Sequence, residues 1–300
     1  MSDAGPAVQL IEERQAADAL AARLPGLLIQ AERIARTIEQ GVHGRKRAGV
    51  GETFWQFRPY QPGEDAKRID WRQSAKSNDL FVREQEWEAA QSVWLDCDLS
   101  SSMGFASSDK LPKKIERAVL LTLALGMVLV QGGERITLLG SGQRPAAGNF
   151  AIDQLCSSLL AKHKRARDEF EEIVTDVPRA ATIVMISDFL APLDAVKRRI
   201  DALAGRSVRG VAIHLIDPAE AAFPYSGRVL FEDFESDGAI LIRNSASIRD
   251  RYRALFEAHR RAVQSLMSQR GWTGHQHDTS KPPENALLAV YQSLAPTLAA

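Results

Sequence analysis

The sequence is short of the features that would announce a chemistry. It holds two cysteines in 300 residues, Cys97 and Cys156, each inside an apolar run. That density excludes a disulfide-built scaffold, and the spacing offers no cysteine metal site, so both thiols read as buried and reduced. Neither charge is in excess: 38 basic residues balance 38 acidic ones. A balanced chain lacks the net positive field on which wholesale nucleic-acid binding depends. Long apolar runs are missing too. The most apolar stretch, Ala118 to Val130, falls short of the roughly 20 residues a membrane-spanning helix needs, and Arg117 and Glu134 bracket it. The opening MSDAGPAVQLIEERQ has no basic segment leading into an apolar one, so it does not read as a secretory signal, and a cytoplasmic location is expected. A glycine-rich phosphate loop, a G-x-S-x-G elbow and an H-E-x-x-H pair are all absent.

What is present is an ordinary globular composition, 45% hydrophobic and 25% charged, in a chain long enough to bury a sizeable core. Its texture changes twice. Residues 1–40 form a helical arm: Leu20, Leu24, Leu27, Leu28 and Ile34 fall at helical spacing, and Pro25 marks a break or kink between two helical pieces. Residues 41–90 lose that periodicity. They carry Trp55, Trp71 and Trp87 among many charges, and read as a small β-rich module with short strands at Glu52–Phe57 and Leu80–Glu84. Residues 91–300 alternate strand and helix. Apolar strands at Ser92–Leu95, Arg135–Gly140, Ala181–Ser187 and Val208–Ile216 are separated by helices at Lys113–Val130, Ile152–Ala161 and Leu193–Leu203. A hairpin at Val229–Arg243, a long amphipathic helix at Ile248–Arg270, a strand at Trp272–His277 and a helix at Glu284–Leu298 close the domain. Continuous apolar strands alternating with helices imply an α/β fold, a mostly parallel sheet covered on both faces.

In such a sheet, ligands bind outside the carboxyl ends of the strands. Two strands end there in acidic residues: Asp98-Leu99-Ser100-Ser101-Ser102-Met103-Gly104 and Ile186-Ser187-Asp188-Phe189. Asp98 supplies a carboxylate at a strand tip, Ser100 and Ser102 alternate so that both hydroxyls can face one side, and Asp188 approaches from a second strand. An oxygen-only set of this kind suits Mg²⁺ or another hard divalent cation. The plainer alternative is that Asp98 and the serines only cap the structure that follows. His275 and His277 share one face of the last strand, but no third ligand is spaced to join them. Gly44-Arg45-Lys46-Arg47 is a small basic cluster that reads as a solvated loop or as a contact for an acidic partner.

Asp98-x-Ser100-x-Ser102 followed by Ser187-Asp188 resembles the metal-ion-dependent adhesion site of von Willebrand factor A domains. More specifically, Phe57-Arg58-Pro59-Tyr60-Gln61-Pro62-Gly63-Glu64-Asp65, Arg68-Ile69-Asp70-Trp71-Arg72-Gln73-Ser74-Ala75-Lys76 and Leu80-Phe81-Val82-Arg83-Glu84 resemble the signature of the bacterial domain-of-unknown-function 58 family. That resemblance implies a von Willebrand factor A-like (Rossmann-like) fold, no enzymatic activity, and work beside a MoxR-type AAA+ ATPase in chaperone-like assembly or activation of other proteins. It implies a metal centre in which Ser100 and Ser102 ligate directly, Asp98 and Asp188 act partly through water, and an acidic residue of a partner completes the shell. Two positions depart from the adhesion pattern. The loop Gly140–Asn149 has Ser141 as its only hydroxyl where a threonine is usual, and Phe189 stands where a glycine is usual. Within the signature, Arg58, Tyr60, Asp70, Trp71, Arg72 and Arg83 are candidates for partner contact, because Trp and Arg concentrate at binding hot spots. The same mixture of charge and indole also suits a salt-bridged structural clasp.

Two other functions compete. Asp96-x-Asp98 resembles the first motif of haloacid-dehalogenase-type phosphatases, with Asp96 as nucleophile, Asp98 as general acid/base and Mg²⁺ on the phosphate. The downstream lysine and paired acids of that family find no match, since the strand ending at Ile216 offers the single Asp217. The third reading is a metal-free scaffold that holds partners through the signature module.

Overall fold

The structure, a computed structural model, describes residues 6–42, 54–60, 69–76, 79–85, 91–165, 177–232 and 238–298. In chain order its elements are α1 (Pro6–Val42), β1 (Phe54–Pro59), α2 (Trp71–Ser74), β2 (Phe81–Gln85), β3 (Ser92–Cys97), α3 (Lys114–Gln131), β4 (Arg135–Leu138), α4 (Gly148–Arg165), β5 (Thr182–Ser187), α5 (Leu193–Ala204), β6 (Arg209–Ile216), α6 (Pro218–Ala222), β7 (Val229–Glu232), β8 (Ala239–Ile242), α7 (Arg249–Gln269), β9 (Thr273–Asp278) and α8 (Pro283–Leu298). They fall into two units, Met1–Val42 with Gln91–Ala300, and His43–Ala90.

In the larger unit, β4-β3-β5-β6-β9 form a five-stranded sheet in that order, and every neighbouring pair is parallel. This is the α/β architecture with a parallel sheet expected from the alternating pattern, and it is consistent with the von Willebrand factor A-like fold that the resemblance implies. Successive residues of a strand point to opposite faces. Val93, Leu95 and Cys97 of β3 join the apolar cluster shared with α1, α3, α4 and α8, while Trp94 joins the cluster shared with α5 and α7. Because both faces are covered, the strands need no polar alternation, and β5 is buried from Thr182 to Ser187.

Helix α1 runs unbroken through Pro25, which corrects the expectation of two helical pieces. Leu20, Leu27, Ala31, Ile34, Ala35 and Ile38 form a buried stripe on it, and α1 packs along α3. Proline inside a helix removes one hydrogen bond and costs about 3 kcal/mol. Tertiary burial of the stripe offsets that cost. The arrangement also explains why α3 is apolar nearly all round: it lies between the sheet and α1.

Gly210 of β6 faces the Trp272 ring so closely that an added Cβ would lie 1.9 Å from its nearest atom. Trp272 is buried, and its indole N–H donates to the Val208 carbonyl at 3.1 Å. This contact sits at the end of the sheet where β6 begins. Strands β7 and β8 pair antiparallel as the expected hairpin, and Glu235, Ser236 and Asp237 of its turn lie outside the described residues.

In the smaller unit, β1 and β2 pair antiparallel with Phe57 opposite Arg83 and Arg58 opposite Val82. The basic cluster Arg45-Lys46-Arg47, and Trp87 with the acids around it, lie outside the described residues.

Candidate functional site

The chain leaves β3, forms the sheet edge with β4, and returns to β5 on the other side of β3. That reversal opens a crevice between the carboxyl ends of β3 and β5, the usual ligand position in such sheets. Asp98 and Asp188 follow these two strands directly. The Asp98 amide donates to the Ile186 carbonyl at 2.9 Å, so strand pairing itself fixes the tip.

The four predicted residues are brought together. Asp98 Oδ1 accepts from the Ser100 amide at 2.9 Å, a short side-chain turn that starts the loop. Its Oδ2 accepts from the Ser187 hydroxyl at 2.6 Å. Ser100 and Ser102 Oγ lie 3.2 Å apart, and Ser102 donates to Asp188 Oδ2 at 2.9 Å. A short 3₁₀ turn at Ser101–Gly104, anchored by buried Met103, holds this spacing. Asp188 Oδ1 accepts from the Leu190 amide at 3.1 Å. Asp98, Ser100 and Ser102 are half-buried, whereas Asp188 is buried.

Phe189 occupies the left-handed backbone region, with φ of 50°, the conformation that favours glycine. The phenylalanine is held there by burial of its ring, by an edge-on contact with His214 at 5.5 Å between centroids, by its amide donating to Ser187 Oγ at 2.9 Å, and by its carbonyl 2.7 Å from His259 Nε2. The departure from glycine therefore leaves the backbone turn intact.

The site contains a residue the motif did not name. Lys114, in the first turn of α3, is 1% exposed. Its ammonium donates to Asp188 Oδ2 at 2.7 Å and to Glu220 Oε1 at 2.5 Å. Glu220 belongs to a capping box on α6: its Oε2 accepts from the Asp217 amide at 2.9 Å, while Asp217 Oδ1 accepts from the Ala219 amide at 2.8 Å. Asp217 Oδ2 also accepts from the Ser107 amide at 2.9 Å, tying the loop after the 3₁₀ turn to α6. Both residues left a signal in the sequence. Asp217-Pro218-x-Glu220 is a capping-box pattern, and a lysine opening an apolar helix sits at the end where the helix dipole disfavours a cation. Such a lysine is expected to have a carboxylate partner.

The electrostatics follow from burial. Burial, and then the charge of Asp188, push the Asp98 carboxyl above its usual range. Burial works to lower Lys114, but the charges of Asp188 and Glu220 outweigh it and hold the ammonium above the ordinary lysine value. Glu220 is pushed up by burial despite Lys114 beside it. His214 is buried and pushed down to about 4, chiefly by desolvation.

These groups do not fit the divalent centre that the resemblance implies. Asp98 and the two hydroxyls are suitable oxygen donors, but the second carboxylate of the set is already engaged. Asp188 Oδ2 already receives two donors, one of them a full positive charge. Ser141, which would stand for the missing threonine, closes the turn after β4: its hydroxyl lies 3.4 Å from Thr137 Oγ1 and accepts from the Gln143 amide at 3.2 Å. Among the described residues, no three His, Cys, Asp or Glu side chains gather to hold a metal. His277 is buried and His275 lies 2.9 Å from the Ser293 hydroxyl, so the histidine pair belongs to the packing of β9.

The nucleophile of the phosphatase reading is enclosed. Asp96 is 4% exposed; Arg199 of α5 reaches its Oδ2 at 2.5 Å and Lys162 of α4 reaches its Oδ1 at 3.2 Å. Burial alone would raise its carboxyl, but the two cations, Arg199 first, hold it below the usual range. This is the geometry of a structural ion pair, with no open oxygen for phosphate.

In the smaller unit, Asp70 caps α2, accepting from the Gln73 amide at 3.0 Å, and its own amide donates to the Phe81 carbonyl at 2.8 Å. Tyr60 is half-buried, and its amide donates to the Leu80 carbonyl at 2.7 Å. Trp71 is 64% exposed and Arg72 is exposed beside it. The side chains of Arg58 and Arg83 lie outside the described residues.

The model of the family described as "Protein of unknown function DUF58" matches residues 56–262. Uncharacterized proteins of Mycobacterium tuberculosis and Mycobacterium bovis are each 27% identical over 257 residues, covering 81% of this chain and 80% of the relative. Among solved structures, the conserved hypothetical protein BatB from Bacteroides thetaiotaomicron aligns with a TM-score of 0.41 and 14% identity, over 69% of this chain and all of that one. An aerotolerance-related membrane protein from Bacteroides fragilis aligns with a TM-score of 0.42 and the same 14% identity and coverage. The expectation of a cytoplasmic location is withdrawn: this aligned chain is described as a membrane protein, and the lack of a helix long and apolar enough to cross a membrane among the described residues assigns no compartment.

Proposed function

The chain belongs to the DUF58 family, and on that premise we propose that it is a non-enzymatic protein-binding module that docks its partner at the carboxyl edge of the central sheet. One observation carries this reading: Asp98, Ser100, Ser102 and Asp188 converge at the crevice between β3 and β5, with Asp98 and both hydroxyls still reached by solvent. The raised carboxyl of Asp98 supports it, since strained ionisation concentrates at functional sites. The closed environment of Asp96 speaks against phosphoryl transfer at the same edge. Exposed Trp71 and Arg72 supply a second contact surface of hot-spot composition on the smaller unit. The partner proposed from the family resemblance is a MoxR-type AAA+ ATPase or its client.

The test is capture of the MoxR-type ATPase of the same organism by immobilised wild type and Asp98→Arg, with folding of both checked by circular dichroism. Reversing the charge at the mouth should weaken capture at least about ten-fold, the cost of a central charged contact. Equal capture by the folded variant would remove the sheet edge as the docking site. Turnover of a generic phosphoester that disappears in Asp96→Asn would replace the whole reading with an enzymatic one.

A further inference from the structure

We infer that Lys114 is the resident cation of this edge, doing the electrostatic work of a divalent ion, so that docking proceeds without metal. The inference rests on the docking reading and names how that site is charged.

Three observations converge. First, Lys114 is placed at an electrostatic cost. It is wholly buried, and it sits in the first turn of α3, where the helix dipole opposes a positive charge. A lysine survives there only if its carboxylate partners are needed more than an apolar side chain would be. Those partners come from two other elements, Asp188 after β5 and Glu220 of α6. The ammonium thus joins the second acidic strand tip of the site to the α6 capping box.

Second, the coordination positions are used. Asp188 Oδ2 receives the ammonium at 2.7 Å and the Ser102 hydroxyl at 2.9 Å, and Asp188 Oδ1 receives the Leu190 amide at 3.1 Å. Ser141 is engaged in its own turn. A dication held between Asp98 and Asp188 would face a fixed ammonium across one carboxylate. In a desolvated pocket that repulsion is little screened.

Third, the polarity presented to solvent is changed. With Asp188 answered from within, the mouth offers the Asp98 carboxylate and the Ser100 and Ser102 hydroxyls. That set recognises a hydrogen-bond donor, such as a guanidinium or ammonium of the partner, rather than the partner carboxylate that a metal bridge requires.

The experiment is a titration of the full chain with Mn²⁺, read by electron paramagnetic resonance, on wild type, Lys114→Met, Lys114→Gln and Asp98→Asn/Lys114→Met. Wild type should leave Mn²⁺ free. Both single variants should bind it at least ten-fold more tightly, and the double variant should lose that gain. Wild type binding Mn²⁺ as tightly as Lys114→Met, or folded single variants gaining nothing, would overturn the inference. Should neither single variant fold, wild type decides. One tightly bound Mn²⁺ that is lost in Asp98→Ala would overturn the inference, and no bound Mn²⁺ supports it. No partner enters this titration, so failure of Asp98→Arg to weaken capture would remove the docking site while leaving the charge assignment standing.

Discussion

Gly210→Ala is the substitution whose effect can be worked most directly from distances. The new Cβ would lie 1.9 Å from one atom of the Trp272 ring, with two more at 2.2 and 2.3 Å. The ring must retreat by about 1.5 Å or more to restore ordinary carbon–carbon contact. It has little room, being 3% exposed in the cluster formed with Val208, Val263 and Met267. Overpacking of this kind costs about 1–3 kcal/mol. Moving the ring also breaks the 3.1 Å hydrogen bond from its Nε1 to the Val208 carbonyl, a further ~1 kcal/mol. The total of about 2–4 kcal/mol corresponds to a fall in Tm of roughly 5–15 °C for a unit of this size. Thermal unfolding followed by circular dichroism measures it. In a Trp272→Leu background the same change should cost less than about 0.5 kcal/mol, because the two effects share one contact. A Tm within about 2 °C of wild type in the single variant would refute the account of why β6 carries a glycine.

Three other outcomes are expected. Asp98→Asn should raise Tm at neutral pH: the folded carboxyl is held above its unfolded value, so its charge opposes folding at any pH above the folded value. The gain should shrink as pH falls and vanish below about pH 4, the unfolded value; a pH-independent gain would contradict the assignment. Arg199→Leu should cost about 3–5 kcal/mol by stranding buried Asp96 with Lys162 alone. Asp96 is held below its unfolded value, so its contribution is present above that value and lost as pH falls through the lowered one; denaturant midpoints across acid pH should therefore converge for wild type and variant. Trp71→Ala should change stability by no more than about 0.5 kcal/mol and weaken partner capture by about 2 kcal/mol, some thirty-fold; a large loss of stability would instead make Trp71 a structural residue.

The sheet was legible because hydrophobic burial dictates it. Strand β3, read from Ser92, and helix α5, read from Leu193, begin at those residues in the structure, and the apolar run at Ala181–Ser187 is β5 almost to the residue. Asp98 and Asp188 could be placed at one edge because parallel strands send all their carboxyl ends the same way. The continuity of α1 could not be read, since it depends on the tertiary stripe that outweighs Pro25. The short helices α2 and α6 were also missed, as four and five residues are too few to show a helical period. Lys114 is the instructive omission. It stands 74 residues from Asp188 and 106 from Glu220, and only the crossing of α3 behind the edge brings the three together. The signature module resisted reading for another reason: its residues show no burial period, so indole and charge alone could not separate a clasp from a contact surface.

An all-parallel sheet has two unlike rims. At one, strands begin, and Gly210 with Trp272 locks β6 there; at the other, strands end in Asp98 and Asp188. Selection for robustness and selection for recognition therefore act on residues a full strand length apart. Sequence drift at the starting rim should register as altered heat tolerance with partner choice unchanged, and drift at the half-buried Ser100 and Ser102 of the ending rim as altered partner choice with little thermal penalty. The fold can be hardened or retargeted separately, without one change undoing the other.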